Sequence, residues 1–223
     1  MKNKMQKIKR QEVLGPCIGT NLRRLDRLEY AIQDETEIEG CELNNFYIEE
    51  VRARYVLIKE CILKNIIFCD VHFNHLEVRN VRFENCDLSN VNFDEASFHR
   101  VEFVNCKLIG SNLAESVIQH GVFSECLCEY LNLGFNTLKE VSFRECDLRR
   151  ANFGECNLNK VEFSECLMQQ AEFAGVRMKG LNLSTCNIEG IKVKLGDLAG
   201  IKVTNVQAIE FAKLLGIIIE EGE

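Results

Sequence analysis

The sequence lacks several features that define common classes of protein. No apolar run of signal-peptide length follows the basic N-terminus, residues 1–17, and none elsewhere approaches a membrane span. Basic residues are not in excess, because the net charge is -7 at pH 7, which argues against an ordinary basic nucleic-acid binder. Tryptophan is absent and Pro16 is the single proline. We therefore expect a cytoplasmic protein that contacts neither a membrane nor nucleic acid directly.

Motifs for catalysis and for cofactor binding are also missing. The four histidines, His72, His75, His99 and His120, have no metal-ligand spacing and no paired nucleophile, so we expect them at the solvated surface. Neither a glycine-rich phosphate loop nor a nucleophile elbow is present. The sequence predicts a protein that is not an enzyme and that has no cofactor, no catalytic residues and no metal site.

What the sequence does contain is a repeat of five residues. From residue 38 to residue 203 nearly every fifth position is apolar, and a second small or apolar residue lies two positions before each of these centres. Five is neither the helical period nor the strand period. It divides into a two-residue step, which keeps both residues on one face of an extended chain, and a three-residue step that turns a corner. Each pentapeptide is therefore predicted to be a short strand followed by a turn.

A second period of twenty residues indicates how many turns make one coil. Phenylalanine and cysteine both recur at this interval, at Phe83, Phe103, Phe123, Phe143 and Phe163 and at Cys86, Cys106, Cys126, Cys146, Cys166 and Cys186. Four pentapeptides per coil explain this spacing, because like residues then stack in columns along the axis of a solenoid.

Two resemblances follow from these motifs. The stretches CDLSNVNFDEASF (86–98), CDLRRANFGECNL (146–158) and SNLAE (111–115) are similar to the repeats of pentapeptide-repeat proteins, which implies an all-β fold, a right-handed quadrilateral β-helix. The tail GDLAGIKVTNVQAIEFAKLLGI (196–217) resembles the end of the quinolone-resistance (Qnr-type) family. That narrower resemblance implies a homodimer made by a C-terminal helix, a DNA mimic that binds DNA gyrase or topoisomerase IV, and protection against fluoroquinolones.

The cysteines are explained by their position in the repeat. Most of the twelve fall two residues before a centre, where the interior admits only small apolar side chains, and a free cysteine behaves as one. Stacked strands lie ~4.8 Å apart, which is within the Cα range of a disulfide, but parallel side-chain vectors and a reducing compartment favour packing. Zinc is disfavoured because its four ligands must converge on one point and a column does not.

The surface carries two acidic columns at the predicted corners. The first acidic column reads Asn85, Asn105, Glu125, Glu145 and Glu165, and the second reads Glu95, Glu115, Phe135 and Glu155. The corner between them is mainly basic, with Arg79, Arg100, Lys139, Lys160 and Lys179. We expect the six glutamates to bind the partner, although charged corners that simply keep a rod soluble explain the pattern equally well.

The ends of the coil need covers, because open strand edges invite polymerisation. Leu22, Leu25 and Leu28 suggest a capping segment with helical spacing at the N-terminus. Residues 205–216 have helical spacing, with Asn205 as the expected cap and Gly216 as the stop. Dimerisation is assigned to the apolar residues of this end: Ala208, Ile209, Phe211, Ala212, Leu215, Ile217, Ile218 and Ile219.

Three segments are thus predicted: a basic tail and N-terminal capping segment (1–35), a pentapeptide-repeat β-helix (36–205), and a C-terminal helix with an apolar tail for dimerisation (206–223). The expected function is a homodimer that binds DNA gyrase or topoisomerase IV. A second hypothesis from another class is a structural scaffold for protein–protein interaction with an unrelated partner, since the repeat by itself specifies only a rod.

Overall fold

The computed structural model describes residues 13–25 and 32–218. Within them the chain forms thirteen strands, one 3-10 helix (Leu195–Leu198) and one α-helix, α1 (Asn205–Leu214). The strands are β1 (Arg23–Arg24), β2 (Glu37–Glu39), β3 (Cys41–Asn44), β4 (Tyr47–Glu49), β5 (Arg52–Arg54), β6 (Leu57–Lys64), β7 (Ile67–Cys69), β8 (His72–Asn74), β9 (Glu77–Glu84), β10 (Ser97–Val104), β11 (Val117–Ser124), β12 (Thr137–Arg144) and β13 (Asn157–Ser164).

From β2 onward the strands pair in parallel with a constant offset of twenty residues. In the nine-stranded sheet Phe98 lies beside Ile118, and Ile118 lies beside Leu138. The other faces of the coil repeat the same offset as two-stranded sheets and as single bridges, such as Asn112 with Asn132. One coil therefore consists of four pentapeptides, and the predicted β-helix is confirmed.

Each coil turns its corners at residues in the left-handed backbone conformation. From residue 35 to residue 180 a positive φ recurs at every fifth position, and most of these residues are not glycine, for example Asn90 (φ 58°) and Glu95 (φ 57°). At two of the four corners a hydrogen bond closes a β-turn, as where the Ala96 amide donates to the Phe93 carbonyl at 3.2 Å. Non-glycine residues rarely adopt this conformation, but here the ladders on both sides of the corner hold it in place.

The interior is filled by stacked columns of like side chains. Phe83, Phe103, Phe123 and Phe143 follow one another with ring centroids 4.7–4.8 Å apart, and Phe163 lies 5.2 Å beyond Phe143. Parallel stacking at the strand spacing gives each inner ring a partner on both faces.

The cysteine column is buried as the repeat predicts. Cys126, Cys146 and Cys166 are inaccessible to solvent or nearly so, and their thiols approach backbone carbonyls at 3.3–3.5 Å. Burial raises the pKa of the Cys61 thiol to about 11 and that of Cys156 to about 12. These thiols are therefore neutral packing groups at physiological pH.

In its described part the N-terminal segment is not helical at Leu22 and Leu25. In the described part of this segment β1 pairs with β3, and Leu25 packs against the core. Further upstream the Cys17 amide donates to the Asn80 side chain at 3.1 Å, whereas the Arg23 amide donates to the Gly40 carbonyl, so residues 17–23 run along the outside of the rod over two coils. The end of the solenoid is thus covered by a paired strand, which satisfies the edge of β3; Leu28 lies outside the described residues.

At the other end the predicted helix forms, but its cap lies one residue earlier than expected. Thr204, not Asn205, is the N-cap, because its hydroxyl accepts from the Gln207 amide and the Gln207 side chain accepts from the Thr204 amide. The helix ends as expected before Gly216 (φ 73°), whose amide donates to the Lys213 carbonyl.

Candidate partner-binding surface

The charged half of the first acidic column is an exposed row of three glutamates. Glu125, Glu145 and Glu165 all occupy left-handed corners, and none of them forms an ion pair within the described part of the chain. Because they are related by the twenty-residue offset, their backbones lie about one strand spacing, ~4.8 Å, apart. The ridge therefore places three negative charges in a row on one edge of the rod.

Below these glutamates the same column is neutral. The Asn105 amide donates to the Asn85 side-chain oxygen at 2.8 Å, and Asn85 donates to Asn65 at 3.4 Å, which forms an asparagine ladder. The ladder satisfies the polar side chains internally. The column consequently divides into a self-bonded amide half and a charged half that is free to contact a partner.

The second acidic column is less continuous than the sequence suggests. Glu95 approaches His75 at 3.1 Å, and Glu155 approaches Lys194 at 3.1 Å. Phe135, which is 68% exposed, separates Glu115 from Glu155. Although all four corner positions are exposed, this column is partly neutralised and is interrupted by an aromatic ring. The first column is the stronger candidate for recognition by charge.

The basic corner lies between the two columns and is partly compensated. Lys160 pairs with Glu140 at 2.8 Å, and Arg79 pairs with Glu77. The corner also corrects the expectation for one histidine. His120 is only 9% exposed, with its Nδ1 2.9 Å from a Glu140 carboxylate oxygen. It is buried because this corner is crowded by the neighbouring side chains, including the His99 ring at 5.7 Å.

The residues assigned to dimerisation divide into two groups. Phe211 is 8% exposed and packs into the core, so it covers the coil of its own chain and is not available to a second one. The Gln207 side chain ties α1 to the same coil through the carbonyls of Leu183 and Cys186, both at 2.8 Å. Exposed on the remaining surface are Ala208, Ile209, Leu215, Ile217 and Ile218, while Ala212 is half-buried. Ile219 lies outside the described residues.

One feature of the surface was missed in the sequence although its signal is visible there. Asparagine recurs at 92, 112, 132 and 152, and the side chains form a second ladder with amide-to-oxygen distances of 2.8–2.9 Å. Each oxygen also accepts a backbone amide two residues on, as Asn112 does from Ala114. The period of twenty in a polar residue could have predicted a ladder, just as it predicted the apolar columns.

Neither a metal-binding cluster nor a membrane-spanning helix is found in the described part of the chain. Within residues 13–25 and 32–218 no three histidine, cysteine, aspartate or glutamate side chains come together as a set that could hold a metal ion. The helix α1 is too short to cross a bilayer, and no other helix in those residues is long and apolar enough to do so.

The parallel coil with its stacked inner columns is a β-solenoid, the fold of a repeat protein. The family model described as "Pentapeptide repeat region" matches residues 76–153 and 131–193. The chain therefore belongs to the pentapeptide-repeat family, whose members are generally structural or binding proteins.

Solved structures with a similar fold include two pentapeptide-repeat proteins. Full-length QnrB1, a plasmid-mediated fluoroquinolone resistance protein, is 17% identical, with 87% of this chain and 95% of that chain covered and a TM-score of 0.37. HetL of the cyanobacterium Nostoc, involved in heterocyst differentiation regulation, is 16% identical, with 76% and 87% covered and a TM-score of 0.25. No curated protein sequence matches the chain.

Proposed function

We propose that this protein is a homodimeric DNA mimic that binds a type II topoisomerase, DNA gyrase or topoisomerase IV, and protects it from fluoroquinolones. The observation that carries the proposal is the row of exposed glutamates at 125, 145 and 165, which lack basic partners among the described residues. The similarity of the C-terminal segment to the Qnr-type family supplies the candidate partner. A DNA-binding groove is basic, and it complements an acidic ridge on a rod.

The average charge of the rod does not by itself support mimicry. Residues 36–205 carry 25 acidic and 18 basic side chains, a net charge of -7. Spread over the coils this is about one net charge per ~4.8 Å of axis, whereas duplex DNA carries one per ~1.7 Å. Screening by salt also limits the range over which exposed charges interact to ~8 Å at physiological ionic strength. Recognition must therefore come from close contact with the first acidic column.

A homodimer formed through the C-terminal ends is the second part of the proposal. Val206, Leu215 and Ile218 are 73%, 61% and 88% exposed, and they lie on or after a helix whose opposite face is already packed. Exposed apolar side chains concentrated at one end of a rod favour association with an identical end across a two-fold axis. Two rods joined in this way extend the acidic ridge along a longer line.

The experiment is DNA supercoiling and drug-stabilised cleavage by purified gyrase and topoisomerase IV with increasing amounts of this protein. We expect a change in at least one activity at micromolar concentrations, weakened by the triple variant Glu125→Lys, Glu145→Lys and Glu165→Lys. The matched control reverses Lys139, Lys160 and Lys179 to glutamate and should retain the effect. Thermal unfolding of both variants checks that the fold is intact.

The scaffold hypothesis predicts the opposite result. If neither enzyme responds and no binding occurs at low salt, the topoisomerase proposal is wrong. A scaffold with another protein partner then accounts for the exposed ring of Phe135, which interrupts the second acidic column and offers an apolar contact that a DNA mimic does not need.

A further inference from the structure

The longest sheet of the solenoid stops at β13, although the five-residue repeat continues. The strand order of this sheet ends with β12 and β13. On the other two faces of the coil pairing continues past this point, with Leu167 beside Asn187 and Glu172 beside Lys192. In the described part of the chain nothing pairs with the far edge of β13. Between β13 and the next coil the ladder is therefore continuous on two faces and missing on the other two. On one of these it resumes a coil later, where Asn182 lies beside Lys202.

The hydrogen bonds on either side of this opening show where the ladder is lost. In the preceding coils the corner amides of Glu125 and Glu145 donate to the carbonyls of Arg144 and Ser164, both at 2.9 Å. The equivalent Glu165 backbone amide instead donates to the Thr185 hydroxyl at 3.2 Å. The Gly175 amide likewise turns to the Asp197 carboxylate at 2.9 Å, where the repeat would place a carbonyl.

Backbone donors along β13 are left without a partner. The repeat directs the amides of Leu158, Lys160 and Phe163 towards residues 177, 179 and 182, and within the described residues none of these three bonds forms. Burial of the core side chains is also incomplete at this opening. Among the centres from residue 43 to residue 188, Leu158 alone is not fully buried, and it packs against the core from the rim. A free strand edge with an accessible apolar side chain is a template for an added strand.

The opening is a groove of about 620 Å³. Its lining includes Asn157, Leu158 and Asn159 on β13 and Arg177 and Lys179 on the facing segment. Glu155 and Asp197 also line it, but each is already engaged, Glu155 with Lys194 at 3.1 Å and Asp197 with the Gly175 amide. Arg177 and Lys179 are exposed and form no ion pair in the described residues. With Lys194 counted beside Glu155, three basic and two acidic side chains surround the groove, so its net charge is positive.

We propose that this groove binds an extended, acidic peptide segment of a partner protein, which adds as a strand to the free edge of β13. The backbone of the segment would accept from the Leu158 and Lys160 amides and donate its own amides to the facing carbonyls of β13. An apolar side chain would cover Leu158, and acidic side chains would face Arg177 and Lys179. Strand addition takes its affinity from main-chain hydrogen bonds and its specificity from alternate side chains. This surface is separate from the first acidic column and does not depend on the topoisomerase proposal.

Hydrogen exchange of the whole protein tests the free edge first. The amides of Leu158, Lys160 and Phe163 should exchange at least about tenfold faster than those of Leu138 and Phe143, which occupy the same positions one coil earlier inside the sheet. Equal protection of the two sets would show that the edge is closed and would overturn the proposal.

The binding test uses an eight-residue peptide of alternating valine and glutamate as the probe. It should protect the Leu158 and Lys160 amides. Lys179→Glu should weaken its binding roughly tenfold, whereas Lys192→Glu, the same change on a face where the ladder is continuous, should not. Two further versions, N-methylated on one or the other set of alternate residues, test the main-chain bonds, and at least one should lose binding.

Three results would overturn the proposal. The first is a valine–lysine peptide that binds as well as the valine–glutamate peptide, and the second is full binding by both N-methylated peptides. The third is binding that appears only after residues 219–223 are deleted, which would mean that the acidic tail of this chain, and not a partner, occupies the groove.

Discussion

Replacing Phe123 by alanine tests the stacked core in its most regular part. Phe123 is fully buried, and its ring lies 4.8 Å from that of Phe103 and 4.7 Å from that of Phe143. Truncation of a buried phenylalanine costs about 3–5 kcal/mol of unfolding free energy, and loss of two stacked neighbours places this site near the upper limit, at about 5 kcal/mol. Neighbouring coils are held in register by their ladders, so they cannot collapse fully into the space.

Two other phenylalanines of the chain provide matched controls for this substitution. Phe163 stacks on a ring of its column on one side only, at 5.2 Å, and lies on the edge strand β13, so Phe163→Ala should cost less, about 3 kcal/mol. Phe135 is 68% exposed at a corner, and Phe135→Ala should change stability by no more than about 0.5 kcal/mol.

Equilibrium unfolding in urea, followed by far-UV circular dichroism, measures the three values at constant protein concentration. The expected order of loss is Phe123, then Phe163, then Phe135. If Phe123→Ala costs less than about 2 kcal/mol, or no more than Phe135→Ala, the stacked column does not stabilise the fold. A lower slope against urea for Phe123→Ala would indicate that the rod unfolds in two parts, as expected when a central repeat is weakened.

Three further results are expected. Cys146→Ala should cost about 1 kcal/mol through lost packing and Cys146→Asp far more through a buried charge, and rapid labelling of Cys146 in the native protein by a bulky maleimide would contradict its interior position. The Arg149 guanidinium beside Asp147 holds the pKa of that carboxyl below its ordinary value of about 3.9. This pair therefore stabilises the fold at neutral pH, and its contribution is lost as the pH falls below about 4. Asp147→Asn should make the free energy of unfolding depend less steeply on pH in acid, and an unchanged dependence would refute the assignment. Light scattering at tens of micromolar should report a dimer for the full chain and a monomer after deletion of residues 207–223, and a monomeric full chain or a dimeric truncation would exclude the proposed interface.

Much of the coil could be predicted from the sequence because every pentapeptide places its side chains inward and outward by the same local rule. The centres at 43, 83 and 143 and the residues two before them are buried as expected, since a two-residue step in a strand fixes which side chains face inward. The corners were placed correctly for the same reason. The start of α1 was missed by one residue, because the reciprocal bonds of Thr204 and Gln207 outweigh the capping preference of Asn205.

The candidate surfaces were less predictable, because they depend on contacts that the repeat does not encode. Ion pairing of Glu95 with His75 and of Glu155 with Lys194 depends on side-chain reach between coils. The open edge of β13 leaves no trace in the five-residue register, which continues unchanged through residues 176–185. The N-terminal segment carries no repeat at all, so its course along the rod could not be deduced from spacing.

The constant twenty-residue offset also makes the length of the rod a stepwise quantity. Removal or duplication of one complete coil returns every strand to an equivalent neighbour, whereas an insertion of one or two residues rotates all later side chains out of their columns. Distances between surface groups on this protein can therefore change only in increments of about one strand spacing, ~4.8 Å, as whole coils are gained or lost. Recombination within the repeat would therefore change the length of the rod by whole coils only.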